Sequence, residues 1–224
     1  MTSGPLARQT WRSVAARLPR HVPGMKIGLF GGSFNPPHAG HLLVSATALR
    51  RLGLDAVWWL VTPGNPLKEN AGLPSLCDRM AAARAMIDDP RIVVSDIEAH
   101  IGTRFTYDTI AYLKQRCPGV RFVWLMGADN LASFHRWQHW LEIASLVPFA
   151  VIDRPGSTLK AIASPAAQRL MPYRLRPQAA RLLPLAGPPA WIFLHGRRST
   201  LSSTALRENG HGVAPHAGKT AEGD

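Results

Sequence analysis

A chain of 224 residues, 46% of them hydrophobic, is long enough to bury one full α/β core, and its net charge of +12 marks it as strongly basic. No apolar run reaches the ~18 residues that a bilayer-spanning helix needs, so a helical membrane protein is excluded. Two cysteines, Cys77 and Cys117, make neither a disulfide framework nor a metal cluster; they suit a reducing cytoplasm, with each thiol structural.

Residues 1–24 carry four arginines and no acid and lack an apolar signal core, so they read as a flexible basic extension, with a transit peptide left open by composition. Lys26 to Phe30 is a short apolar strand. Gly31, Gly32, Ser33, Phe34 and Asn35 follow, and Pro36-Pro37 holds the loop extended. His38-Ala39-Gly40-His41 then opens a helical pattern that runs from Leu42 to Leu52, with Gly53 as its C-cap. A strand, a glycine turn and a helix start present bare N–H groups to an anion. The two imidazoles, three residues apart, lie on one helical face and can donate to phosphate oxygens.

Ala56 to Val61 is a second buried strand, and the loop of residues 62–74 carries Lys68. A lysine there faces either solvent or the crevice at the carboxyl end of a parallel sheet. Ser75 and Asp78 form a capping-box-like start to a helix that continues from Arg79 to Ile87. Ile92 to Ile97 is a third strand, and Thr106 is read as the N-cap of the next helix. Val120 to Met126 is a fourth strand, ending at Gly127 with Asp129 two residues on, an arrangement that suits a ribose contact. Phe134, Trp137 and Trp140 are core candidates. Pro148 to Ile152 is a fifth strand. Residues 156–189, rich in Pro, Ala and Arg, predict helical turns over one sheet edge with no clear strand. Trp191 to Leu194 is the last strand, followed by Ser202-Ser203-Thr204 and Arg207, which alone spell a well-capped helix. Residues 209–224 read as a flexible tail. Five or six strands alternating with helices predict a Rossmann-like, doubly wound parallel sheet, with the domain spanning 25–208 and its site at the carboxyl edge.

Taken together, GGSFNPPHAGHLL, FTYDTI, GADNLASFHRW and LSSTALR resemble the signatures of the H-x-G-H nucleotidyltransferases. The fullest likeness is to the bacterial nicotinate-nucleotide adenylyltransferase family. That resemblance implies an enzyme of NAD biosynthesis that transfers AMP from ATP to nicotinate mononucleotide. It assigns His38 and His41 to the ATP phosphates, Lys68 to phosphate charge, and Arg207 with Ser202, Ser203 and Thr204 to the β- and γ-phosphates. Gly31, Gly32, Ser33 and Phe34 would hold the nucleotide, Gly127 and Asp129 the ribose. Thr106, Tyr107 and Asp108 would shape the nicotinate pocket, with Trp137 stacked on the pyridine ring. Two positions depart from the family pattern: Asn35 replaces a common aspartate, and Gln138 replaces an aromatic. Magnesium is expected as the ATP complex.

Phosphopantetheine adenylyltransferases share the histidine motif and the SST helix but have no reason to carry FTYDT and the F-x-x-W pair. A non-catalytic nucleotide- or RNA-binding protein would use the basic charge. From Arg154 to Arg207, both included, stand nine Lys/Arg and no acid, yet no recognised nucleic-acid module appears, and no specific nucleic acid or membrane partner is expected. Oligomeric state, a homo-oligomer included, is left open.

Overall fold

The computed structural model describes residues 18–64, 72–153 and 158–195. The strands are β1 (Lys26–Gly32), β2 (Ala56–Val61), β3 (Ile92–Ser95), β4 (Arg121–Gly127), β5 (Phe149–Ile152), β6 (Arg174–Leu175) and β7 (Trp191–Leu194). They make one sheet in the order β3-β2-β1-β4-β5-β7-β6, parallel at every pairing. The helices are α1 (Ala39–Ala48), α2 (Leu76–Ala85), α3 (Ile97–Ile101), α4 (Thr106–Arg116), α5 (Ala128–Ser133), α6 (Trp140–Leu146), α7 (Thr158–Ile162) and α8 (Pro165–Arg169).

Strand residues alternate between two buried faces, so both need covering. Ile27, Leu29, Trp58, Leu60, Trp124 and Met126 pack with residues of α3 through α8. Phe30, Val57, Trp59, Val61, Val123 and Leu125 pack with α1, α2 and the 3₁₀ segment Pro177–Leu185. The chain runs outward from β1 through β2 to β3, then crosses to β4 on the other side of β1. The point between β1 and β4, where the winding reverses, is where a parallel sheet opens a crevice beyond its strand ends.

The doubly wound class expected from the sequence is therefore present, with seven strands rather than five or six. The extra one is β6, inside the 156–189 segment where no strand was expected. Two residues are too few to show a period of two, and β6 owes its place to pairing with β7. Its Arg174 lies over the Trp191 and Phe193 rings, at 5.3 and 5.6 Å. The third strand ends at Ser95, not Ile97, because Ile97 turns into α3 and is buried there. The residues 1–17 of the basic extension and the 209–224 tail lie outside the described residues.

Gly31 and Gly32 are the last two residues of β1 rather than a turn after it. A Cβ at Gly31 would stand 2.7 Å from Trp124 Cη2. That indole is 2% exposed and has no room to retreat. Gly31→Ala should therefore cost about 1–3 kcal/mol by overpacking, read as a lower urea midpoint with an unchanged denaturant slope.

Candidate active site

The loop from β1 to α1 is held by its own side chains. Phe34 has a φ of 47°, a left-handed conformation that is strained for a bulky residue. Its ring is buried and stacked on Trp59, with centroids 4.7 Å apart at 17°. The Trp59 indole N–H donates to Ser45 Oγ at 2.7 Å, and the Ser45 hydroxyl donates to the His41 carbonyl at 3.0 Å. The side chain of Phe34 thus belongs to the core, and only its main chain is left for a nucleotide.

His38 and His41 cap α1 reciprocally. The Gly40 N–H donates to His38 Nδ1 at 3.0 Å, and the His38 N–H donates to His41 Nδ1 at 3.1 Å. Both rings are nearly buried, with centroids 3.8 Å apart. A nitrogen that accepts a backbone N–H carries no proton, so each neutral ring keeps its proton on Nε2. The backbone thereby sets both imidazoles as Nε2–H donors at the positive end of a ten-residue helix.

Gly127 ends β4 next to β1 and is the N-cap of α5, whose first turn carries the exposed Asp129. Trp124 of the same strand touches Gly31 on one side. It also meets the half-buried Trp137, edge-on, with ring centroids 6.2 Å apart. Phe134 is buried against Trp137 and Trp140, as a core aromatic should be. Trp137 is thus held by two aromatic neighbours.

Thr106 is not the N-cap of α4. The cap is Phe105, without a side-chain hydrogen bond of its own, and Thr106 is the first helical residue. The turn is closed from upstream: the Phe105 N–H donates to Thr103 Oγ1 at 3.1 Å, and the Thr103 hydroxyl donates to Asp108 Oδ2 at 2.9 Å. Asp108 therefore braces this turn, while Tyr107 packs against His139 at 5.0 Å. Thr103 thus closes the turn ahead of the helix, and no side chain among the described residues caps the first-turn N–H groups that the local sequence assigned to Thr106. Ser75 and Asp78 do form the expected cap of α2. Lys68, Ser202, Ser203, Thr204 and Arg207 lie outside the described residues.

Two residues that the motifs do not contain support this edge. Arg79 is 1% exposed, and burial draws its guanidinium below its ordinary pKa. It donates to the carbonyls of Ser33 and Thr62, both at 2.8 Å, and of Pro74 at 3.0 Å. One side chain thus ties the loop after β1 to the end of β2 and the start of α2. Its sequence signal was a charge on the stripe Leu76, Arg79, Met80, Ala83, otherwise apolar. Glu98 is buried at 4% exposure at the start of α3 and accepts from the Thr109 hydroxyl at 3.2 Å. Nothing in the sequence around Ile97 distinguished it.

Arg79→Met would bury three carbonyls without their donor. Loss of about 3 kcal/mol or more is expected, with Arg79→Lys recovering part of it; chemical denaturation of the three proteins measures both.

The cytidylyltransferase-like family model matches residues 29–209. A curated protein of Agrobacterium fabrum named "Probable nicotinate-nucleotide adenylyltransferase" is 58% identical over 83% of this chain and 99% of its own. A Methylorubrum extorquens protein of the same name is 59% identical over 82% and 99%. Among solved structures, the Plasmodium falciparum nicotinic acid mononucleotide adenylyltransferase complexed with NaAD superposes with a TM-score of 0.62 at 18% identity, covering 82% of this chain and 83% of that one. At that identity the likeness concerns the fold. By its family match and its curated relatives, the chain belongs to the cytidylyltransferase-like family and, within it, to the nicotinate-nucleotide adenylyltransferases.

Proposed function

We propose that this protein transfers AMP from ATP to nicotinate mononucleotide, forming nicotinate adenine dinucleotide and pyrophosphate. The observation that carries the reading is the histidine-capped start of α1 beside the β1–β4 crevice, in a chain of this family. A phosphate oxygen of the acceptor attacks the α-phosphorus of ATP. The bond from that phosphorus to the bridging oxygen breaks, and pyrophosphate leaves with the electron pair. The nucleophile is already anionic at neutral pH, so no general base is needed. Catalysis rests on in-line positioning and on donors that meet charge as it moves to the leaving group.

His38 and His41 supply two such donors through Nε2–H. Lys68 and Arg207, with Ser202, Ser203 and Thr204, are proposed to hold the β- and γ-phosphates. Ser33 and the main chain from Gly31 to Phe34 would face the nucleotide, and Asp129 with Gly127 the ribose. The N–H groups at the start of α4, at Thr106 and Tyr107, have no side-chain cap among the described residues and suit a carboxylate, with Trp137 offering a ring face; this supports the acid over the amide substrate. Magnesium is proposed to arrive on ATP, held by phosphate oxygens and water. Among the described residues no three His, Cys, Asp or Glu side chains converge on one point. No described helix is long and apolar enough to cross a membrane. A reducing cytoplasm is part of the reading, supported by the free thiols of Cys77 and Cys117, the latter pushed up to about 11 by burial.

Pyrophosphate release with ATP and magnesium, offered nicotinate mononucleotide, nicotinamide mononucleotide and phosphopantetheine separately, tests this. Turnover with the nicotinate substrate well above the others is expected. His41→Ala should lower kcat by about 10²–10³-fold with ATP still bound; turnover equal to wild type would remove the histidine from the mechanism.

A further inference from the structure

Glu98 is the buried carboxyl among the described residues, and its two oxygens are unequally served. Oε1 accepts from the Thr109 hydroxyl, whereas Oε2 has no hydrogen-bond partner among the described residues. The Thr62 hydroxyl lies against the same carboxyl, yet it also donates to the Gly64 carbonyl at 2.9 Å. Thr109 is divided in the same way, between Glu98 and the Phe105 carbonyl at 3.1 Å. Each hydroxyl has one proton and two acceptors. An ionised Glu98 would need both protons and would take them from Gly64 and Phe105. A protonated Glu98 brings its own.

Resting on the adenylyl-transfer reading above, we infer that Glu98 is a positioning residue that works as a neutral carboxylic acid. Its proton is donated to Thr62 Oγ1, which fixes the end of β2 to the first turns of α4 and so holds the acceptor side of the site. Thr62 is then free to give its own proton to Gly64. The Thr62 carbonyl is meanwhile taken by Arg79, so this residue joins the acceptor helix to the loop that carries the histidines.

The surroundings favour the neutral form. β2 and β3 contribute no ionisable side chain. On α3, Asp96 caps the helix and pairs with His100 at 3.3 Å, both of them partly exposed. On α4, Asp108 is held by Thr103, Tyr107 packs on His139, and Lys114 and Arg116 stand in the last turn. Arg104 lies by the Phe105 ring, and Arg79 is engaged with carbonyls. With no cation among the described residues against it, burial pushes the carboxyl up to about 7, with Thr62 and Thr109 pulling the other way.

The test compares wild type, Glu98→Gln and Glu98→Leu. Gln keeps the shape and both the donor and the acceptor of the protonated acid at every pH, whereas Leu has neither. The KM for nicotinate mononucleotide in wild type, divided by that of Glu98→Gln, should be near one at about pH 6 and rise several-fold by about pH 8; the KM for ATP should change less. Glu98→Leu should raise the acceptor KM about tenfold at both. Titration of the substrate phosphate cancels in the ratio. A ratio flat with pH, or a Gln variant no better than Leu, overturns the proposal.

Two readouts need no turnover. The native carboxyl holds its proton above the ordinary pKa of 4.5, so between about 4.5 and about 7 the native state binds more protons than the unfolded chain. Stability from this group is present at low pH and declines as pH rises through that window. The urea midpoint of wild type relative to Glu98→Gln should fall accordingly. Wild type alone should show an infrared carboxylic-acid band at about pH 6 that is lost by about pH 8. Absence of that band overturns the proposal even if the Gln variant does not fold. Silence with every acceptor, with the band present, would instead remove the enzymatic reading and leave the neutral acid standing.

Discussion

The site depends on how α1 begins. A helix start leaves N–H groups without partners, and here the chain answers two of them, at Gly40 and His38, with the imidazoles of His38 and His41. The usual capping side chains would satisfy the backbone and stop there. Histidine has a second nitrogen, so the hydrogen bond that caps the helix also decides where the ring proton sits. Local folding and the proposed phosphate contact would then rest on the same interaction. The aromatic stack behind it, from Phe34 through Trp59 to Ser45, holds this helix start in place with side chains that are themselves buried.

A second layer holds the strand ends together from beneath. The Thr62 main chain is gripped by the Arg79 guanidinium, and its hydroxyl lies against Glu98. Buried ionisable groups of opposite kind thus stand on the two sides of one residue without forming an ion pair. Each is stabilised by neutral dipoles: carbonyls around the cation, hydroxyls around the acid. Such an arrangement is directional. Carbonyls and hydroxyls satisfy these groups only in narrow geometries, so the loop after β1, the end of β2 and the start of α4 are held in register.

The glycines at the end of β1 show how packing and approach to a ligand coincide. Gly31 is bare because the Trp124 ring occupies the space where a Cβ would be. The same ring meets Trp137 in a T-shaped contact. Close packing of two neighbouring strands therefore fixes the aromatic that the family resemblance places against the pyridine ring. A motif read as room for phosphate is also room for tryptophan.

The sequence by itself determined the class of fold, the places of six strands along the chain, the histidine helix start and the family. These are carried by short-range signals: apolar runs, Gly and Pro punctuation, and motifs whose members lie within a few residues of one another. Only the tertiary structure decided the order of the strands in the sheet, the β6 edge, the end of β3 at Ser95, the closing of the turn before α4 by Thr103, and the parts played by Arg79 and Glu98. Each of these depends on partners distant in the chain, or on a hydroxyl or carbonyl that any sequence offers. Arg79 reaches Ser33 across 46 positions, and a main-chain carbonyl has no letter in the sequence. Backbone acceptors and buried protons become legible only when folding brings the strand ends to one edge and removes the water that would otherwise have satisfied them.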